Sequence, residues 1–402
     1  MNKSRFFSGQ PIFSQLLSFV PRHQIMKIAS SYSADRYCKH FRTYDHLITM
    51  LYTCYQHCTS LREVVTGMRA CEGRLQCLGI TYMPARSTLS EANQRRSYEV
   101  FEQIYSLLLK RYVDFLPDSR SRSLDKKLVI VDSTTISLFK EILKSAGNKG
   151  NDGRRKGGIK VHMAVQASHD VPFLVRFSSG ASADVPFLKH VHLPAGSVVV
   201  MDRGYCSFSK YNEWTSKKIN WVTRISDHNR YTVYKQRTVS TEQQQAGVIS
   251  DELILLGFEK KKERVRCRLV KFFDASTNKT FQFITNQHQW SPQKVAAIYK
   301  RRWQIELLFK RLKQNMPLQY FLGDNENAIK IQIYCALIAD LLLKLVTKGI
   351  KRQWSFANLA AIVRLHLMNY THLRNFLEQP DKAFIINPIP VQSPQLCLNF
   401  SG

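Results

Sequence analysis

Acidic residues are scarce in this chain of 402 residues: 30 aspartates and glutamates stand against 59 lysines and arginines, a net charge of +29. So large an excess of positive charge favours a polyanionic partner, and nucleic acid is the leading candidate. An anionic membrane surface fits less well, because no segment combines a basic face with a strongly apolar one.

Long apolar runs are also absent. No run approaches the length of a membrane span, and the N-terminus lacks the basic, apolar and small-residue segments of a signal peptide. We therefore predict a cytoplasmic protein that does not associate with membranes. The nine cysteines are odd in number and follow no repeated spacing, which argues against a disulfide framework or a zinc finger.

What the sequence does contain is a change of apolar periodicity along the chain, and the length allows two or three domains. We predict an α/β protein with five regions. They are a helical N-terminal domain (1–120), the first part of an α/β core (121–224), a β-rich insertion (225–280), a last core strand with a basic helix (281–316), and C-terminal helices with an irregular tail (317–402).

The N-terminal domain and two basic segments have more than one interpretation. The basic helices of residues 1–120 would either dock in a DNA groove or only brace the next domain. The glycine-rich loop Gly147–Gly158 would contact phosphates or be a plain loop. The run Lys260–Lys271 has seven basic residues against one acid, as expected of a surface that follows a nucleic-acid backbone or of a solvated edge hairpin.

Two short apolar runs, Leu128–Val131 and Ser197–Met201, have the composition of buried strands. Each is followed directly by an aspartate, Asp132 in the first case and Asp202 in the second. Strand ends are where sites form in α/β sheets. Between these runs, apolar residues alternate with polar ones over Ile159–Gln166, which predicts a half-exposed strand.

The stretch that follows the insertion predicts one helix, which begins at Ser291 and Pro292 and ends at Pro317. It carries seven basic residues between Lys294 and Gln314 and a single acid, Glu306. At 3.6 residues per turn, a narrow stripe contains Tyr299, Arg302, Glu306 and Lys313. Either this is a solvated basic face, or Glu306 is a metal ligand flanked by phosphate contacts.

Three acids therefore stand out by position: Asp132, Asp202 and Glu306. If they meet, their mutual repulsion requires cations among them, and carboxylate oxygens favour Mg²⁺ or Mn²⁺. Two such ions can activate a nucleophile and stabilise the leaving oxygen during attack on a phosphodiester. Because any α/β protein has aspartates at some strand ends, the alternative that the three acids do not meet stays open.

Tyr299-x2-Arg302-x3-Glu306-x6-Lys313 resembles, at all four positions, the Y-x2-R-x3-E-x6-K signature of the DDE transposases encoded by bacterial insertion sequences of the fourth family. The order of two aspartates and then a glutamate after a β insertion is similar to that family too. One departure is the sequence Asp202-Arg-Gly-Tyr-Cys, where some members have Asp-Arg-Glu-Ala-Asp. In relatives that cut through a hairpin, a tryptophan of the insertion holds a flipped base; we assign that role to no residue.

The resemblance implies a ribonuclease-H-like catalytic core in which Asp132, Asp202 and Glu306 bind two Mg²⁺ ions. It implies that Tyr299, Arg302 and Lys313 hold phosphates of the transposon end. Such enzymes cut double-stranded DNA at the terminal inverted repeats of their element and join the 3′ ends to target DNA. They pair two ends, so the resemblance also implies a homodimer on DNA.

Two other functions remain compatible with these residues. One is a metal-dependent nuclease that cuts DNA but does not join it to a target. The other is a DNA-binding protein, for example a repressor, that has the same fold and no cleavage activity. The presence of all three acids argues against the repressor, because binding alone does not require them.

Overall fold

The structure is a computed structural model. It describes residues 9–71, 73–80, 82–116, 127–137, 147–149, 155–225, 228–257, 264–316, 318 and 320–380. Several sequence predictions lie wholly or partly outside these residues: positions 150–154 of the glycine-rich loop of 147–158, the first residues of the basic run from Lys260, Pro317 as the end of the basic helix, and the tail beyond Pro380.

The first described segment is helical. Its helices are α1 (Ile12–Leu17), α2 (Arg22–Ser31), α3 (Thr43–Gln56), α4 (Leu61–Arg69), α5 (Arg86–Arg95) and α6 (Tyr98–Tyr112). Serine side chains cap two of them. The Ser60 hydroxyl accepts a hydrogen bond from the Glu63 N–H at 3.2 Å, and Ser97 accepts one from the Glu99 N–H at 3.2 Å, which satisfies donors that a helix leaves free at its start.

A large mixed sheet follows, with helices between some of its strands. Its elements are β1 (Leu128–Ser137), β2 (Gly147–Lys149), β3 (Arg155–Gln166), β4 (Val171–Ser179), β5 (Val198–Met201), α7 (Phe208–Ser216), β6 (Asn220–Arg224), β7 (Tyr231–Gln236), α8 (Thr241–Gln245), β8 (Val248–Leu256), β9 (Val265–Asp274) and β10 (Lys279–Thr285). The strand order is β2-β3-β1-β5-β6-β10-β9-β8-β7, and β4 pairs with β3. The β1/β5 and β5/β6 pairs are parallel, and the other pairs are antiparallel.

Two sequence predictions about strands are wrong. Strand β1 does not end before Asp132 but continues to Ser137, because its pairing with β3 runs on as far as Ser137 opposite Gly158. The segment Ile159–Val165 is not half-exposed, since only Lys160 within it escapes full burial. Strand β3 lies between β1 and β4 and both faces of the sheet are covered there, so its polar residues are buried as well.

The single helix expected after the insertion is two helices, α9 (Pro292–Lys300) and α10 (Trp303–Asn315). Ser291 caps α9 as predicted, by accepting a hydrogen bond from the Lys294 N–H. At the junction, Arg301 and Arg302 bond to carbonyls three residues back rather than four. This tighter turn changes the direction of the chain.

Three further helices complete the described chain: α11 (Glu326–Val346), α12 (Phe356–His366) and α13 (Leu373–Glu378). Helix α11 packs against α3 and α6. One apolar core joins the N-terminal helices, α9 to α12 and one face of the sheet, while a second core lies between the other sheet face and α7. None of the helices in the described ranges is both long enough and apolar enough to cross a membrane.

Candidate functional site

The three acids singled out in the sequence line one open cavity of about 580 Å³. Asp132 lies within β1, Asp202 directly follows β5, and Glu306 is in the first turn of α10. Strands β1 and β5 are parallel neighbours, so their aspartates reach the same part of the sheet, and α10 supplies the third acid. Arg302 and Lys313 line the same cavity.

The Asp132 carboxylate is more buried than that of Glu306. Its side chain is 14% exposed, against 39% for Glu306. Burial raises the pKa of Asp132 to about 6, although the Ser133 N–H, which donates to Asp132 Oδ1 at 2.8 Å, and the Arg302 charge both oppose this rise. The nearby Asp202 charge adds to it. A proton therefore competes for this carboxylate just below neutral pH.

Arg302 is the cation that joins two of the acids. Its Nη1 donates to Asp132 Oδ2 at 2.7 Å, and its Nη2 donates to Glu306 Oε1 at 2.5 Å. Burial works to lower the pKa of Arg302, but Asp132 and Glu306 outweigh it and raise that pKa above its usual value. One guanidinium thus bridges carboxylates that are 170 and 4 residues away from it in sequence.

The other two residues of the sequence signature contact the same site from different sides. The Tyr299 hydroxyl donates to Asp202 Oδ1 at 3.5 Å, and burial raises the pKa of Tyr299 to about 12, so this hydroxyl stays protonated. The Lys313 ammonium donates to the Thr135 carbonyl at 3.3 Å. Burial lowers the pKa of Lys313.

The acids of the cavity do not form a ready-made metal site. Within the ranges that the structure describes, no three or more aspartate, glutamate, histidine or cysteine side chains are grouped so that they could hold a metal ion. Arg302 occupies the position between Asp132 and Glu306 with its positive charge. The carboxylate oxygens themselves are nevertheless of the kind that a hard divalent cation prefers.

No sequence pattern indicated a polar cluster around Asp184, which contacts Ser133, the residue after Asp132. The Ser133 hydroxyl donates to Asp184 Oδ1 at 3.0 Å, and Lys160 forms an ion pair with the same oxygen at 3.1 Å. His162 lies 3.7 Å from it. Asp184 follows no apolar strand and sits in no motif, so only the pairing of β1 with β3 could have pointed to it.

Sequence analysis also missed an apolar surface on α10. Trp303 and Leu307, one turn apart, are each 61% exposed, whereas Trp214 and Trp221 are buried. Trp303 follows Arg302 directly. The signal was available in the sequence, because positions 303 and 307 fall on the side of the helix opposite its apolar arc.

Part of the basic run Lys260–Lys271 does not form a nucleic-acid surface. Arg268 is fully buried, and its Nε and Nη2 donate to the two carboxylate oxygens of Asp251, both at 2.7 Å. Lys271 pairs with Glu252 at 3.3 Å. Strand β9 lies between β8 and β10 in the sheet, and the charge of Arg268, buried there, must be paired.

Comparison with known proteins gives two family matches. Residues 123–342 match the transposase DDE domain, and residues 8–81 match a domain of unknown function, DUF4372.

Curated relatives include a putative transposase, y4zB, of Sinorhizobium fredii, which is 28% identical over 77% of this chain and 82% of its own length. A putative transposase for insertion sequence element IS4SA of Synechocystis is 29% identical over 71% of this chain and 78% of its own. A probable transposase for insertion sequence element IS5377 of Geobacillus stearothermophilus is 26% identical over 66% and 68%. Among solved structures, a piggyBac transposase synaptic complex with hairpin DNA aligns with 96% of this chain and 85% of its own, at a TM-score of 0.42 and 9% identity.

Proposed function

The chain belongs to the DDE transposase family, and we propose that it binds the terminal inverted repeats of a bacterial insertion sequence, cuts the DNA there and joins the 3′ ends to target DNA. The observation that carries this proposal is the meeting of Asp132, Asp202 and Glu306 at one cavity. These acids come from three distant parts of a chain whose net charge is +29. Such a grouping has an electrostatic cost that binding DNA alone does not require.

Transposases of this family use divalent metal ions, and we propose that Asp132, Asp202 and Glu306 hold two of them, Mg²⁺ or Mn²⁺. When bound, such ions activate the attacking oxygen and stabilise the leaving oxygen of the phosphodiester. The bridge from Arg302 to Asp132 and Glu306 supports this assignment, because it demonstrates that the pair of carboxylates accepts a cation.

The basic residues around the acids would position DNA. We propose that Arg302 exchanges its carboxylate partners for a phosphate, since a guanidinium binds both groups with the same forked geometry. The Lys313 ammonium lines the cavity and would contact a second phosphate as a point charge. The Tyr299 hydroxyl would orient Asp202, its present acceptor, and exposed Trp303 would contact the bases or sugars beside the cut.

The strand order supports a ribonuclease-H-like core. In that fold three antiparallel strands are followed by two strands parallel to the first, as β4-β3-β1 and then β5-β6 are here. Strands β7 to β10 continue the sheet beyond β6, and most of them correspond to the insertion expected at 225–280. We assign the enzyme to insertion sequences of the fourth family on the residues Tyr299, Arg302, Glu306 and Lys313.

We propose that the chain has five regions with different roles, 1–120, 121–224, 225–280, 281–316 and 317–402. The N-terminal helices would bind transposon ends, the core would cut, and the remaining parts would brace the catalytic helix. Two DNA ends have to be paired for joining, so we propose a homodimer on DNA. The substrates would be double-stranded bacterial DNA, both element ends and target, which places the reaction in the cytoplasm.

The test is incubation of the protein with Mg²⁺, labelled DNA from both flanks of its gene, and a supercoiled target plasmid. Cutting and joining are expected. Cutting without joining would indicate a nuclease, and binding without cutting would indicate a repressor-like protein.

Glu306→Gln should abolish cutting and leave binding of the element ends within about twofold, because it removes one charge from the cavity and keeps the shape. Glu326→Gln, which changes an exposed glutamate at the start of α11, is the matched control and should cut normally. Cutting by the Glu306→Gln variant would remove Glu306 from the site.

A further inference from the structure

We propose that Asp184 is a positioning residue that fixes the separation of Asp132 and Asp202 from the far side of the sheet and so sets the affinity of the site for divalent ions. The inference rests on the proposed function, in which these two aspartates hold the ions.

Asp184 contacts strand β1 through Ser133. Successive side chains of a strand point to opposite faces, so the Asp132 carboxylate faces Arg302 while the Ser133 hydroxyl faces Asp184. That hydroxyl donates to Asp184 Oδ1 at 3.0 Å, and the N–H of the same serine donates to Asp132 Oδ1 at 2.8 Å. Asp184 therefore holds the residue whose backbone orients the Asp132 carboxylate.

Asp184 contacts the segment that follows strand β5 at Gly204, two residues after Asp202. A Cβ atom at position 204 would lie 3.1 Å from Asp184 Oδ2 and 4.0 Å from Asp202 Oδ2. The absence of a side chain at Gly204 thus allows the Asp184 carboxylate to pack directly on the segment that carries Asp202. A single side chain touches both segments that bear the aspartates.

Asp184 is itself held in place by groups on neighbouring elements. The Lys160 ammonium lies 3.1 Å from Oδ1 and also donates to the Ser182 carbonyl at 2.6 Å. His162 Nδ1 lies 3.7 Å from Oδ1 and 3.2 Å from the Tyr205 hydroxyl. The side chains of Lys160 and His162 are only 14% and 4% exposed, so if Asp184 swung away, the largely buried Lys160 ammonium would lose its carboxylate partner.

These contacts favour a positioning role for Asp184 over the role of a further metal ligand. Both Ser133 and Lys160 contact Asp184 Oδ1, and the side chains of Asp132 and Ser133, as neighbours in β1, point to opposite faces of the sheet. Asp184 does not line the cavity that contains the three acids. Groups that hold ligands in place from behind commonly change metal affinity by about 10- to 100-fold when they are removed.

The test measures Mn²⁺ binding to the full-length protein without DNA, by the electron paramagnetic resonance signal of free Mn²⁺. Asp184→Ala removes the acceptor and should weaken binding by about tenfold. Asp184→Asn keeps an oxygen that accepts from Ser133 and should restore most of the affinity. Glu102→Ala breaks an ion pair of 2.6 Å with Arg176 on the neighbouring strand and is the matched control, with unchanged affinity.

Gly204→Ala provides an independent variant if Asp184→Ala does not fold. The added methyl group displaces the Asp184 carboxylate and should weaken Mn²⁺ binding by about threefold. In a protein that already carries Asp184→Ala, the same methyl group no longer meets the Asp184 carboxylate and makes only an ordinary van der Waals contact with Asp202 Oδ2, so it should have no further effect. Circular dichroism and the thermal midpoint check that each variant is folded.

The outcomes distinguish failure of the inference from failure of the proposed function. If Asp132→Asn abolishes Mn²⁺ binding while Asp184→Ala binds as the wild type does, the inference is wrong and the proposed site stands. If Asp184→Asn loses binding as completely as Asp132→Asn, Asp184 is a ligand and not a positioning residue. If the wild type binds no Mn²⁺, or Asp132→Asn has no effect, the proposed metal site fails and the inference with it.

Discussion

The structure and the ion-bound site that we propose differ most at Arg302. Its guanidinium lies between Asp132 and Glu306, and both hydrogen bonds are short. The divalent ion that we propose would compete with this cation for the same oxygens. When no ion is bound, the Arg302 charge offsets the mutual repulsion of the carboxylates.

Arg302→Gln should therefore raise the Mn²⁺ affinity of the DNA-free protein by about fivefold, or about 1 kcal/mol, since partly exposed ion pairs contribute on this scale. The same variant should cut DNA more slowly, because a phosphate contact is lost. Lys310→Gln is the control, since Lys310 lines the same cavity without a bond to either acid. Binding titrations and cleavage assays measure the two effects; weaker Mn²⁺ binding in Arg302→Gln would contradict the competition.

His46 gives a second prediction at the scale of one residue. It is completely buried, its Nε2 lies 2.8 Å from Asn93 Oδ1, and burial, with the Arg96 charge, lowers its pKa from 6.5 to about 3. Below pH 6.5 this histidine binds a proton in the unfolded chain but not in the folded protein. The free energy of unfolding therefore decreases as the pH falls, by up to about 1.4 kcal/mol per pH unit between pH 6.5 and 3.

His46→Gln should flatten this part of the curve of unfolding free energy against pH, measured by urea denaturation. His190→Gln, a change at an exposed histidine, should leave the slope as in the wild type. An unchanged slope in His46→Gln would mean that other groups cause the acid instability.

At the scale of elements, a buried ion network anchors the catalytic helix α10. Arg311 Nε donates to Asp340 Oδ1 of α11 at 2.9 Å, and Arg311 Nη1 donates to Asp170 Oδ2 in the β3–β4 turn at 2.6 Å. Lys344 forms ion pairs with both acids. Burial would raise the pKa of Asp340, but Arg311 and Lys344 lower it below its usual value.

Arg311→Leu should cost about 3 kcal/mol of unfolding free energy, because it leaves Asp340 with too little compensating charge in the core. Adding Asp340→Leu should recover part of the loss, since the uncompensated charge is then removed. Urea unfolding followed by circular dichroism measures both. A loss in the double variant as large as the sum of the two single losses would exclude coupling between the two residues.

At the scale of the whole molecule, helix α1 near the start of the described chain is joined to residues near its end. The Ile12 N–H bonds to the Asn369 carbonyl at 3.0 Å, and the Phe13 N–H bonds to the Leu367 carbonyl at 2.8 Å. The N-terminal and C-terminal helices thus share one core with the face of the sheet that bears Asp132. Motion of the N-terminal helices relative to the cavity would have to disturb this core.

The net charge of +29 predicts DNA binding that weakens steeply with salt, because each phosphate contact releases counterions. Lys313→Ala should weaken binding and reduce the slope of log K against log salt by about one unit. Lys217→Ala, which removes a cation paired with Glu213 on α7, should leave the slope unchanged. Titrations at several salt concentrations measure it, and an unchanged slope in Lys313→Ala would exclude the phosphate contact.

The sequence by itself identified three acids that the fold brings to one cavity, and it predicted much of the secondary structure. Strand β5 at Val198–Met201 and the start of helix α9 at Pro292 were predicted to within a residue, because apolar runs and caps act over a few neighbouring residues. The signature at Tyr299, Arg302, Glu306 and Lys313 pointed to the cavity even though the single helix on which it was drawn is broken.

The tertiary structure alone decided how far β1 extends beyond Asp132, which basic residues are buried, and which side chain contacts the segments that carry Asp132 and Asp202. Strand pairing carries β1 on to Ser137, and burial in the sheet turns Arg268 from a surface charge into the partner of Asp251. Asp184 meets Ser133 and Gly204 only through the folding of the sheet. Contacts between residues far apart in sequence leave no local pattern, so periodicity, caps and charge counts could not predict them.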